Sequence, residues 1–130
     1  MKLSAISQLL VGAIGPQQFI SECGSELAER RELVGADGRV LKRGGVMPVR
    51  VSDDCAVHVS RQGVRTLCQH FVRGNLGAVD LSYIADALQL AEEVSWEDDD
   101  VAEWVAEFTD PEINGVFTAS RAAEIASRVA

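Results

Sequence analysis

From Gly74 to Ser120 the chain contains neither lysine nor arginine, while twelve Asp and Glu fall within those residues. A stretch with no local counter-charge repels phosphate backbones and anionic membrane surfaces and attracts cationic partners. The same acidity also serves simply to keep a helical surface in solution. Elsewhere the charges nearly balance: residues 1–73 hold ten Lys/Arg and seven Asp/Glu, and Arg121, Glu124 and Arg128 follow, for a formal net charge of -8. Cysteine is scarce and odd in number, at Cys23, Cys55 and Cys68. That count argues against a disulfide framework and for a reducing compartment, by default the cytoplasm. Long apolar runs are missing as well. The stretch Leu9 to Ile14 is too short for a membrane span, which needs about 20 apolar residues, or for a secretory signal. No internal repeat or low-complexity tract is visible. With 47% hydrophobic residues in 130, the composition predicts a single domain over residues 1–130 with one core.

Catalytic and metal-binding patterns are thin. Cys55, His58, Cys68 and His70 tempt as a zinc set, but Cys-x2-Cys spacing is absent. Cys68 and His70 would also stand about 200° apart around a helix, unable to face one ion. The run Asp98-Asp99-Asp100 lacks the alternating oxygens and central glycine of a calcium loop. Gly44-Gly45 lacks the partner glycines of a phosphate-binding loop. Cys55 with His58 is the one pair left for nucleophilic catalysis, with nothing nearby to form an oxyanion hole. The arginines and lysine between Arg30 and Arg50, without interleaved aromatics, either touch phosphates or are solvated loop residues, and the overall acidity of the chain makes nucleic acid a poor partner. The expectation is therefore a binding protein with no cofactor, no metal and no catalytic residues.

The patterns that are present are mostly helical. Leu3, Ile6, Leu9 and Leu10 keep helical spacing up to Gly15-Pro16, where Pro16 opens a second helix bearing Phe19, Ile20, Cys23 and Leu27. Gly24 weakens that helix without having to end it. Between residues 33 and 59, turn signals at Asp37-Gly38 and Gly44-Gly45 and the alternation of Val49/Val51 and Val57/Val59 predict a small antiparallel β patch. Ser60 then caps a helix with Val64, Leu67, Cys68, Phe71 and Val72 on one face, closed by Gly74. A helix over about Ala78 to Ala91 carries Leu81, Ile84, Ala85 and Leu88. Ser95 with Asp98 reads as a capping box for a helix that buries Val101, Trp104, Val105 and Phe108. Asp110-Pro111 to Gly115 reads as a turn, and Thr118 caps a last helix built on Ala122, Ile125, Ala126 and Val129. The fold class is mainly α (α+β), with about six helices around one core.

Opposite the buried face of the helix after Ser95, Trp96, Asp100, Glu103 and Glu107 recur at i, i+4, i+7 and i+11, an outward acidic stripe with an aromatic at its entry. Like charges at such spacing destabilise a helix by a few tenths of a kcal/mol per pair. The stripe, with Asp98 and Asp99, either solubilises the helix or meets Lys/Arg on a partner. Leu81-Ser82-Tyr83-Ile84-Ala85-Asp86-Ala87-Leu88, then Val94 to Val101, then Thr109-Asp110-Pro111-Glu112-Ile113-Asn114-Gly115 resemble the immunity proteins of bacterial contact-dependent growth inhibition and other polymorphic toxin systems. The resemblance covers roughly half the chain and contains no catalytic motif. It implies a small acidic protein that caps one cognate toxin domain, commonly a basic nuclease, as a monomer that becomes a heterodimer. The contact candidates are then Trp96, Asp98, Asp99, Asp100, Glu103 and Glu107. Tyr83 and Asp86 are either contacts or internal hydrogen-bonding groups. Two other classes stay open: an acidic adaptor with no toxin, and an enzyme using Cys55 and His58.

Overall fold

The computed structural model describes residues 1–24, 26–33, 50–109 and 116–129. In chain order the elements are α1 (Leu3–Leu10), α2 (Pro16–Cys23), α3 (Glu26–Leu33), β1 (Val57–Val59), α4 (Arg61–Val72), α5 (Ala78–Leu90), β2 (Val94–Trp96), α6 (Asp99–Glu107) and α7 (Ala119–Arg128). Seven helices among the described residues replace the expected six because Gly24 does stop its helix. Its φ of +64° is left-handed, a conformation a glycine adopts freely and a helix interior does not contain. The helical residues on either side become α2 and α3.

The β patch differs from expectation in strand partner and direction. β1 pairs with β2 in parallel, with Val57 opposite Val94, His58 opposite Ser95 and Val59 opposite Trp96. An antiparallel hairpin needs only a short turn, whereas parallel strands need a long crossover, and α4 and α5 supply it here. Val57 and Val59 are buried and His58 points out, the alternation expected of a half-buried strand. Val51 lies outside any strand, and Ser52 makes a single parallel bridge with Lys2. Both expected turns, and Val49, lie outside the described residues.

One contiguous apolar core draws on every described helix and both strands. Its centre is α5, nine of whose thirteen residues are buried. Alanine and serine between the larger side chains let neighbours approach α5 from several sides. α4 packs most extensively against α7, and at Gly63 it comes close to α1, where an added Cβ would lie 3.3 Å from a Leu10 methyl. Ser60 caps α4 by accepting the Gly63 N–H at 3.0 Å, Thr118 caps α7 by accepting the Arg121 N–H at 3.1 Å, and Gly74 closes α4 at φ +79°. These three boundaries match the expected ones.

Candidate partner-binding surface

The two strands are so short that each runs almost directly into a helix, which sets the N-termini of α4 and α6 beside each other. Each helix start exposes backbone N–H groups without intrahelical partners and the positive end of a dipole. Carboxylates from residues 97–100 gather there. Glu97 donates its N–H to Val59 O at 2.9 Å and accepts the Arg61 N–H at 3.0 Å, tying β2 to the start of α4. Asp98 is the N-cap of α6 and accepts the Val101 N–H at 3.0 Å. The expected cap, Ser95, instead sits in β2, where its hydroxyl meets His58 Nδ1 at 2.9 Å.

Arg61 binds this cluster together. Its Nε donates to Asp98 at 2.6 Å and its Nη2 to Asp100 at 3.0 Å, and its guanidinium lies 5.2 Å from the Trp104 ring centroid. The Val101 N–H first, and then Arg61, hold the Asp98 carboxyl below its ordinary range. At the far end of α6, Arg121 grips Glu107 through both Nε and Nη2, at 2.8 and 2.9 Å, and reaches Glu124 at 2.8 Å.

These contacts correct the expectation of an unneutralised acidic stretch. Arg61 and Arg121, one from each flank of the arginine-free residues, reach into it through tertiary packing that counting charges along the chain cannot register. Asp98, Asp100 and Glu107 are consequently structural as well as surface groups. The neutralisation is partial. Residues 92–107 carry eight carboxylates, and those two guanidiniums are the described cations that pair with them. Glu92, Glu93, Asp99 and Glu103 are exposed and make no ion pair among the described residues, and the Asp100 side chain is still 61% exposed. Along α6, Asp100, Glu103 and Glu107 form an outward stripe at i, i+3 and i+7, with an arginine bound at each end.

Trp96 does not belong to that stripe, because α6 begins three residues later. It closes β2 opposite Val59, half-buried against the core. Tyr83 is fully buried: its Oη donates to Glu26 at 2.8 Å and accepts the Arg50 N–H at 3.0 Å. The same Glu26 carboxylate holds the Met1 amino group at 2.7 and 2.9 Å. Of its two readings, the internal one fits Tyr83. Asp86 is half-buried on α5 and has an interaction of its own. Thr109 is buried with its hydroxyl donating to Ala106 O at 3.0 Å, and residues 110–115 of the family-like segment lie outside the described residues.

The remaining reactive groups are muted. Burial pushes the Cys68 thiol up to about 12 and the Cys23 thiol up to about 11, and Cys55 is also raised by burial and then by Asp54. Thiolates, the nucleophilic form, are therefore suppressed at neutral pH. Among the described residues no three His, Cys, Asp or Glu side chains gather as a metal site, and no helix is long and apolar enough to cross a membrane. No family model, curated protein or solved structure matches the chain.

Proposed function

We propose that the chain is an immunity protein of the polymorphic-toxin type, which neutralises a cationic toxin domain by covering its active site or substrate groove. The observation that carries this reading is the excess of eight carboxylates over two paired guanidiniums around β2 and α6. Arg61 and Arg121 hold Asp98, Asp100 and Glu107 in fixed positions, so part of the ordering cost of docking is met before the partner arrives. Asp99 and Glu103, one helical turn apart and exposed, supply charge that no described arginine takes up. A nuclease surface built to meet phosphates would present the complementary cations.

Co-expression with the toxin domain encoded beside its gene tests the proposal. Growth is rescued, and the two proteins purify as a complex whose association slows as salt rises. Failure of both rescue and complex formation overturns it. An acidic adaptor without a toxin partner would give that negative result. Such a complex should bury at least about 1,000 Å².

A further inference from the structure

Helices α4 and α7, the most extensive helix pair, leave an open cleft of about 330 Å³ along their outer seam. Its volume lies at the small end of the range for ligand pockets, about 300–1,000 Å³. Arg65, Gln69 and Arg73 line one wall at i, i+4 and i+8, with Val72 beside them, and Ala123, Ala126 and Ser127 of α7 form the other. The small α7 residues keep the cleft open. Val72 is 48% exposed, so an apolar side chain faces solvent where two helices meet.

The arginines of this helix pair fall into two groups. Arg61, Arg121 and Arg128 each hold carboxylates, and Glu124, the one acid on α7, is already shared by Arg121 and Arg128. Arg65 and Arg73 make no ion pair among the described residues, and both line the cleft. The Arg65 Nε is buried with no hydrogen-bond partner. In a chain of net charge -8, two cations that pair with no carboxylate among the described residues, set over an apolar floor, form a complementary surface for an anion with an apolar body.

We propose that the α4–α7 cleft binds a small amphiphilic carboxylate, its head accepting from the Arg65 guanidinium with Arg73 nearby and its hydrocarbon lying over Val72, Ala123 and Ala126. The site is separate from the acidic surface around α6 and does not depend on the toxin-binding reading. A guanidinium fork suits a planar carboxylate, and the short cleft suits a chain of a few carbons better than a long-chain lipid.

The test titrates the 15N-labelled full chain with octanoate, 1-octanol and inorganic phosphate in separate arms. Octanoate gives saturable shifts at the amides of residues 65–73 and 123–127, while octanol and phosphate give much weaker ones. Absence of saturation with octanoate at millimolar concentration overturns the proposal. Equal binding of octanol removes the role of the arginines, and equal binding of phosphate removes the role of the apolar floor; either overturns it. Shifts of the same amides with protein concentration alone would assign the cleft to a second copy of the chain and also overturn it. Arg65→Gln should weaken octanoate about tenfold or more. If that variant does not fold, Val72→Asp, at a half-exposed position, places a repelling charge at the mouth and should likewise weaken binding; unchanged affinity there overturns the site.

Discussion

Helices α5 and α6 come from the same arginine-free stretch and share an apolar spacing, yet they occupy opposite environments. α5 is buried along most of its length, while α6 buries Val101, Trp104 and Val105 and turns its carboxylates outward. An aspartate caps each start: Asp80, in the first turn of α5, reaches back to accept the Gly77 N–H at 2.8 Å while almost wholly buried, and Asp98, the N-cap of α6, accepts forward from Val101 at the surface. The same capping chemistry is spent inside the fold in one case and on a surface in the other. Candidate contact residues therefore divide by helix: those on α6 remain candidates, and Tyr83 on α5 becomes part of the interior.

The sharpest way to break that division is at Tyr83. Tyr83→Ala removes a buried aromatic and should destabilise the protein by about 3–5 kcal/mol. Tyr83→Phe keeps the ring but leaves the Arg50 N–H without its acceptor and the Glu26 Oε2 with Met1 in place of two donors, at a cost of about 1–3 kcal/mol. Denaturant unfolding measures both. Near-wild-type stability of Tyr83→Ala would mean that α5 is not the centre of the core. Neither change should alter the association rate of the molecules that remain folded.

Much of this arrangement could be read from residues alone, for identifiable reasons. Caps at Ser60 and Thr118 and the stop at Gly74 are local signals, settled within four residues, and they appear where expected. α5 was legible as a helix from Leu81, Ile84, Ala85 and Leu88, but two of its four polar positions, Asp80 and Asp86, are charged, so its central burial was not. What escaped was tertiary. The partner of Val57-His58-Val59 lies 37 residues further on, and Val94-Ser95-Trp96 was hidden by a serine that reads as a helix cap. The pairing of Arg61 with Asp98 and Asp100 spans a similar separation, so the charge count along the chain overstated how bare the acidic surface is. Gly24 shows the opposite failure: a local signal was present, but propensity alone does not say whether a glycine bends a helix or ends it.

A smaller effect is expected at the joint between α4 and α6. The Asp98 carboxyl is depressed in the folded protein by the Val101 N–H and then by Arg61. A group whose folded pKa lies below its unfolded value contributes stability that is present above the unfolded pKa, near 4 for Asp, and is lost as pH falls through the folded value. Asp98→Asn retains a capping oxygen but carries no charge. It should lower the unfolding midpoint modestly at neutral pH and flatten the acid-side loss of stability below about pH 4. An unchanged acid slope, followed by circular dichroism, would show that the Asp98 carboxyl is not held below its ordinary range in solution.

The least effect on stability, and the most direct bearing on function, is expected at Glu103. It stands between Asp100 and Glu107 on the outward stripe, exposed and bound by neither arginine. Glu103→Lys removes three like-charge contacts from α6, with Asp99, Asp100 and Glu107, and creates three opposite ones, so the fold should tolerate it with no loss of unfolding midpoint. A cationic partner should nevertheless associate several-fold more slowly, with the difference shrinking as salt rises, while the dissociation rate changes less. Asp99→Lys alongside it should deepen the effect. Asp100→Lys is a poorer probe because it also severs the Arg61 bond and mixes folding with docking. If Glu103→Lys leaves association untouched at low salt, the partner approaches another face, and the carboxylates of residues 97–100 are explained by the two helix N-termini and Arg61 alone.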